Sequence, residues 1–237
     1  MATRGKAKKL NKAWLHDHLS DPYVKLAQRE GYRARAAYKL KEIDEQLHLL
    51  HPGQLVVDLG ATPGAWSQFV RRKFGRGMVS EAGVPAPLHG TIIALDILEF
   101  APVDGVEFIR GDFREASVLE ALVSRIGDRP VDVVLSDMAP NLSGIAASDA
   151  ARMAELVELA VEFARGHLAV GGALVCKVFH GSGYSQLVER FKAEFRTTKA
   201  IKPKASRTKS AETFLVGIGL KARRSGADID GRPVAPR

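Results

Sequence analysis

The sequence predicts an α/β fold: a mostly parallel, Rossmann-like sheet with helices on both faces and an antiparallel edge strand. Three observations carry that expectation. Short, near-continuous apolar runs alternate with stretches of helical periodicity, the pattern of parallel strands joined by crossover helices. The runs lack polar alternation, as strands do when both sheet faces are covered. Near the carboxyl end the alternation stops, and two apolar runs follow one another with no room for a helix between them.

Taken in order, residues 1–20 hold Arg4, Lys6, Lys8, Lys9 and Lys12 with little to bury, and are expected to form a basic, flexible arm. His16 and His18 flank Asp17 there, but no further ligand group lies nearby, so the trio reads as polar surface. Asp21-Pro22 is an N-cap and first-turn pair that opens a helix with Tyr23, Leu26 and Ala27 on one face; Gly31 interrupts it. A second helix over Ala34 to Leu47 aligns Ala37, Leu40, Ile43 and Leu47 in one stripe, with Lys39 close to that stripe.

After the turn at His51-Pro52-Gly53, strands are expected over Leu55 to Leu59, Thr91 to Leu95, Val106 to Ile109, Val131 to Ser136 and Ala173 to Phe179. Helices are expected over Trp66 to Phe74, Glu115 to Ile126, Asp149 to Leu168 and Tyr184 to Phe195. Ala200-Ile201 and Thr213 to Leu220 would form the antiparallel pair. Gly75 to Gly90, rich in Gly, Pro and Ala, reads as a surface excursion, and residues 221–237 as a disordered tail. One domain over residues 21–220 follows.

The 237 residues, 46% of them apolar, suffice for a single hydrophobic core. A formal charge of +8 points toward a polyanionic partner such as nucleic acid. The single cysteine, Cys176, excludes an intramolecular disulfide framework and a thiolate metal cluster, so a reducing compartment and no metal are expected. The amino terminus lacks the apolar core of a signal peptide, and no apolar run approaches the roughly 18 residues of a membrane span. The expectation is a cytoplasmic monomer without membrane contact.

The informative stretch is Val56-Val57-Asp58-Leu59-Gly60-Ala61-Thr62-Pro63-Gly64-Ala65-Trp66, a strand that passes through a glycine turn into a helix. In an open α/β sheet, ligands bind beyond the carboxyl ends of the strands. The five strands deliver Asp58, Asp96, Asp112, Asp137 and Lys177 to that edge. The turn lacks the Gly-x-Gly-x-x-Gly fingerprint that brings backbone against a pyrophosphate, and acidic walls would repel a diphosphate. They suit a ligand with a ribose diol, a sulfonium, an ammonium and no phosphate, namely S-adenosylmethionine. Asp96 would accept from the ribose hydroxyls and Asp112 from the adenine amino group. Asp58 is read either as a carboxylate that holds the turn or as a direct ligand. Trp66 reads as a core residue at a position from which it would also line the methionine pocket.

Asp137-Met138-Ala139-Pro140-Asn141 lacks the first proline and the aromatic of the Asp/Asn-Pro-Pro-aromatic turn used on exocyclic base amines. That argues against a base amine as acceptor. Cys176, inside a predicted strand, reads as packing rather than as a nucleophile. A ribose hydroxyl needs orientation and a proton acceptor, and lysine serves where desolvation or a nearby cation favours its neutral form. Lys177 beside Asp137 is the natural candidate, with Lys39 supplying a second charge and Glu212 orienting the amines.

The segments Tyr32 to Leu40 and Val57 to Gln68 resemble the FtsJ/RrmJ family of RNA ribose 2'-O-methyltransferases. So do Ser136 to Asn141, Lys177-Val178-Phe179 and Lys204-Ala205-Ser206-Arg207 with Ser210 and Glu212. The resemblance covers about Asp21 to Leu220 and departs from the usual spacing at Gly75 to Gly90. It implies the Rossmann-like S-adenosylmethionine-dependent methyltransferase fold and a uridine ribose of 23S rRNA, within the large ribosomal subunit, as acceptor. It further implies a tetrad of Lys39, Asp137, Lys177 and Glu212 in which Lys177 accepts the proton. The cofactor would lie at Gly64, Trp66, Asp96, Asp112 and Asp137, near Asp58 and Gly60. Arg33, Arg35, Lys202, Lys204, Arg207 and Lys209 form the basic set expected to hold the RNA backbone. The alternatives are another RNA substrate, or a non-catalytic RNA-binding ribosome-assembly factor. The latter predicts damaged tetrad positions, and none is damaged.

Overall fold

The computed structural model describes residues 20–75, 88–207 and 210–221. The arm up to residue 19 with His16 and His18, most of the Gly75 to Gly90 excursion, Lys209, and the tail after Lys221 lie outside the described residues.

Helix α1 (Pro22–Glu30) starts as its sequence requires, with the extended Asp21 side chain accepting from the Tyr23 and Val24 amides. Gly31 ends it in the left-handed region, at φ 66°. Helix α2 (Ala36–Leu47) buries Ala37, Leu40 and Ile43, the stripe its periodicity predicts. Asp44 is also buried there, accepting from the Leu50 amide at 2.9 Å and pairing with Lys73. The alternating elements follow as β1 (Leu55–Leu59), α3 (Ala65–Phe74), β2 (Thr91–Asp96), β3 (Glu107–Arg110), α4 (Ala116–Ile126) and β4 (Val131–Ser136). Then come α5 (Ala146–His167), β5 (Leu168–Phe179), α6 (Tyr184–Glu194), β6 (Phe195–Ile201) and β7 (Glu212–Leu220).

The strands form one sheet in the order β3-β2-β1-β4-β5-β7-β6. β3, β2, β1, β4 and β5 are parallel neighbours. β7 is antiparallel both to β5 and to β6. The antiparallel pair therefore sits at one end of the sheet as expected, but its reversed strand is not the outermost. β7 inserts between β5 and β6, so the edge strand β6 runs with the parallel set. The short 202–211 connection forces β6 and β7 into a hairpin, and the apolar β7 takes the inner, doubly covered place. β6 keeps the exposed edge with Arg196, Thr197 and Lys199 along it.

Two apolar layers cover the sheet. Leu122, Met153, Val157, Val161, Leu187 and Phe191 pack α4, α5 and α6 against one face. Ala37, Leu40, Ile43, Phe69, Val70 and Phe74 pack α2 and α3 against the other. The order in which strands are laid down switches between β1 and β4, with β2 and β3 on one side and β5 on the other, and the carboxyl ends of β1 and β4 are where such a fold opens a crevice. No helix among the described residues is long and apolar enough to cross a membrane.

Candidate active site

The crevice beyond β1 is built by the glycine turn. Gly60 has φ 73°, and a Cβ there would stand 2.8 Å from the Met138 backbone nitrogen. Gly64 has φ 90° and caps α3, where a Cβ would meet the Phe100 ring at 2.8 Å. Glycine is thus required twice, by conformation and by space. The resulting pocket is lined by Asp58, Gly60, Ala61, Thr62, Trp66 and Asp137, among others.

Asp58 is fully buried at the end of β1. Its Oδ2 accepts from the Ser67 hydroxyl at 2.6 Å, which braces α3 against the strand. Among the described residues no donor reaches Oδ1. Burial, aided by the charges of Asp137 and Asp96 and opposed by the Ser67 hydrogen bond, pushes the Asp58 carboxyl up to about 7. One carboxylate oxygen of Asp58 thus braces the helix that follows the turn rather than the turn itself, and the residue also lines the pocket. Trp66 serves likewise, 2% exposed, donating Nε1 to the Ala36 carbonyl at 2.8 Å while its ring sits 5.6 Å from Phe214.

Beside the pocket, Lys39, Asp137, Lys177 and Glu212 converge from four separate elements. Asp137 follows β4, and its amide donates to the Leu59 carbonyl at 3.0 Å, tying it to the end of β1. Lys177 Nζ lies 3.0 Å from Asp137 Oδ1 and donates its hydrogen bond to the Asp137 carbonyl instead. Lys39 Nζ reaches both oxygens of Glu212 at 2.7 Å, and Ser206 Oγ donates to Glu212 Oε1 at 2.8 Å. Burial works to raise the Glu212 carboxyl, but Lys39, Ser206 and the Lys177 charge outweigh it and hold it below the usual range. Two ion pairs, felt by one another, thus line one wall. Both lysines and Glu212 are largely buried, so each charge depends on its partner.

The outer acids divide. Asp96 accepts from the Thr62 amide through Oδ2 and from the Leu98 amide through Oδ1, each at 2.8 Å, so it too holds the glycine turn. Asp112 is engaged by Arg114, whose hydrogen bonds keep the carboxyl below its ordinary value. Neither is part of the lining between the turn and Asp137.

Two members of the basic set do not fit the role expected of them. The Arg33 guanidinium donates to the carbonyls of Pro63, Ala101 and Pro102, stitching the turn after β2 to the glycine turn. Arg35 pairs with Asp21 and donates to the Ala205 carbonyl, and its side chain is mostly buried. Their donors serve the backbone because the loops flanking the pocket have carbonyls that no strand or helix satisfies. Lys202, Lys204 and Arg207 are exposed on the segment leading into β7, and Lys202 Nζ donates to the Ser210 carbonyl at 2.9 Å. Lys209 lies outside the described residues.

Glu42, Ser67, Thr62 and Ser206 have roles that sequence reasoning missed. Glu42 accepts from the amides of Lys204 and Ala205 and from Tyr23 Oη, fixing the segment that carries Ser206. The available signal was its position three residues after Lys39, on the same side of α2.

The profile of the FtsJ-like methyltransferases matches residues 32–220. The chain is 68% identical over 224 residues to the ribosomal RNA large subunit methyltransferase E of Methylibium petroleiphilum, covering 94% of this chain and 100% of that protein. It is 64% identical over 225 residues to the protein of the same name from Variovorax paradoxus, covering 95% and 100%. Among solved structures, one described as a ribosomal RNA methyltransferase from Plasmodium falciparum superposes with a TM-score of 0.68 at 28% identity, over 80% of this chain and 98% of that one. Fibrillarin of Aeropyrum pernix, solved with S-adenosyl-L-methionine, shares the fold at a TM-score of 0.51 and 16% identity, over 79% of this chain and 75% of that one. With its glycine turn, its strand-end acids and its four converging charges all inside the matched span, the chain belongs to the FtsJ-like methyltransferase family.

Proposed function

We propose that this protein transfers a methyl group from S-adenosylmethionine to the 2'-hydroxyl of a uridine in 23S rRNA, acting on the large ribosomal subunit as a cytoplasmic monomer. The single observation that supports this most is the convergence of Lys39, Asp137, Lys177 and Glu212 beside the glycine-turn pocket. The large-subunit relatives, similar over their whole length, support the choice of RNA. Residues 21–220 would form the catalytic domain.

The lining suits the cofactor by its chemistry: Asp58 and Asp137 make it acidic toward a sulfonium and an ammonium, and Asp58 Oδ1 has no donor among the described residues. Asp58, Gly60, Gly64, Trp66 and Asp137 would hold it, with Asp96 and Asp112 further out toward its ribose and adenine. When bound, S-adenosylmethionine supplies an electrophilic methyl group on a sulfonium that departs as a neutral thioether.

In its neutral form, reached by first giving up the ion-pair proton to solvent, Lys177 takes the 2'-hydroxyl proton onto Nζ as the 2'-oxygen attacks, and Asp137 Oδ1, 3.0 Å away, stabilises the ammonium so formed. Lys39 and Glu212 hold each other in place and keep the acceptor side of the crevice ordered. Alignment of the two reactants supplies much of the acceleration. Lys202, Lys204 and Arg207 would contact RNA phosphates, with Lys209, outside the described residues, kept in the set on its sequence alone.

The reading is tested by supplying labelled S-adenosylmethionine and unmethylated large subunits, then digesting the RNA with alkali. A methyl group on the 2'-oxygen leaves the adjoining phosphodiester intact, whereas methyl on a base leaves it labile.

A further inference from the structure

We infer that His180 and Tyr184 form a stacking platform for a nucleobase of single-stranded RNA, next to the site where the ribose would be held. The inference rests on the RNA reading above. His180 directly follows β5, three residues after Lys177, and its amide donates to the Ala211 carbonyl at 2.8 Å, one residue before Glu212. The side chain therefore leaves the sheet at the same edge as both ion pairs.

The imidazole lies on the Tyr184 ring with centroids 4.0 Å apart and planes 27° from parallel. Tyr184 opens α6 and is half-buried against the core on that face, so it is anchored, whereas His180 is exposed. One ring face of the imidazole is covered by tyrosine, and His180 as a whole stays exposed. The loop between them is shaped for this: Gly181 has φ 148° and Gly183 φ 83°, and a Cβ on either would meet nothing within 4 Å. These glycines are thus called for by the turn that brings Tyr184 back beneath His180 and not by packing.

The surroundings select a nucleic acid base over other flat ligands. The exposed Lys202, Lys204 and Arg207 belong to the segment that runs into Ala211, the hydrogen-bond partner of His180. Cations that track a backbone beside an aromatic face are the recurring means of holding single-stranded RNA. A base stacked on His180 would position the chain so that a neighbouring ribose meets Lys177.

The platform is tested by the affinity of a fluorescein-labelled single-stranded oligouridylate, compared with the same oligonucleotide carrying abasic riboses, which keeps every phosphate. The wild-type protein should prefer the base-bearing RNA by about fivefold to a hundredfold. His180→Ala and Tyr184→Ala should lose that preference, and His180→Phe, which retains a ring, should keep it. Unchanged affinity for S-adenosylmethionine in each variant establishes that the fold survives. Equal binding of the two RNAs by the wild type, or a preserved preference in both alanine variants, overturns the platform. Because affinity is read without methyl transfer, an absence of ribose methylation would reject the proposed reaction while leaving this result to stand or fall separately.

Discussion

Lys39 Nζ lies 2.7 Å from each carboxylate oxygen of Glu212, joining α2 to the reversed strand β7 across 173 positions of sequence. The 202–211 connection that leads into Glu212 is held down by Glu42, one helical turn beyond Lys39, so two side chains of α2 fix the approach to β7.

Glu212→Gln and Lys39→Met should each destabilise the fold by about 3–5 kcal/mol, because each leaves a partly buried charge without its partner. The double substitution should cost less than the sum. Urea unfolding of the four proteins measures the coupling, and full additivity would mean that the pair contributes nothing jointly.

Lys177→Ala should lower the methyl-transfer rate by roughly 10²–10⁴-fold, the usual contribution of a general base, while cofactor affinity stays close to normal. Single-turnover kinetics with calorimetric binding separates the two effects. Near-normal turnover would remove Lys177 from its assigned role.

Asp96→Ala should weaken cofactor binding by about tenfold to a hundredfold, as expected for losing hydrogen bonds to a charged group. The Thr62 and Leu98 amides lose their acceptor in the same variant, so the glycine turn loosens as well. Calorimetry checks the affinity, and an unchanged value would place the cofactor ribose elsewhere.

Asp58 makes stability depend on pH with a defined sign. The folded chain retains its proton to about pH 7 and the unfolded chain only to about 3.8, so between these values the folded state binds more protons. Unfolding free energy should therefore fall as pH rises from 4 to 7, by at most about 4 kcal/mol at 1.36 kcal/mol per unit. Glu212, held below its ordinary value, acts oppositely, and its stabilisation is lost as pH falls through the acid range. Asp58→Asn should flatten the neutral limb of the profile in denaturant titrations, and an unaltered slope would show that Asp58 is not its source.

Much of this arrangement was legible before the structure. β1 and β4 match their predicted limits because their apolar runs are continuous and both faces are covered. The sequence pattern marks β6 only at Ala200-Ile201 because an edge strand keeps polar residues such as Arg196 and Lys199 on its exposed positions. It marks β5 only from Ala173 because Gly171 and Gly172 interrupt the apolar run, although Leu168 already pairs with Val131. For the site, residue type at a strand end was informative for Asp58, Asp137 and Lys177. It could not separate Arg33 and Arg35 from the exposed cations, since whether a guanidinium meets a phosphate or a backbone carbonyl is decided by loops that only the folded chain defines. Ser67 and Ser206 escaped because a serine carries no sequence mark of its acceptor, even though each donates to a nearby carboxylate, Asp58 and Glu212 respectively.

The most direct test is mass-spectrometric mapping of ribose methylation in 23S rRNA from unmethylated large subunits incubated with S-adenosylmethionine and either the wild-type protein or Lys177→Ala. The account predicts one uridine that gains a methyl group on its 2'-oxygen with the wild type and stays unmodified with the variant. A methyl group on a base, or equal ribose methylation by both proteins, would contradict it.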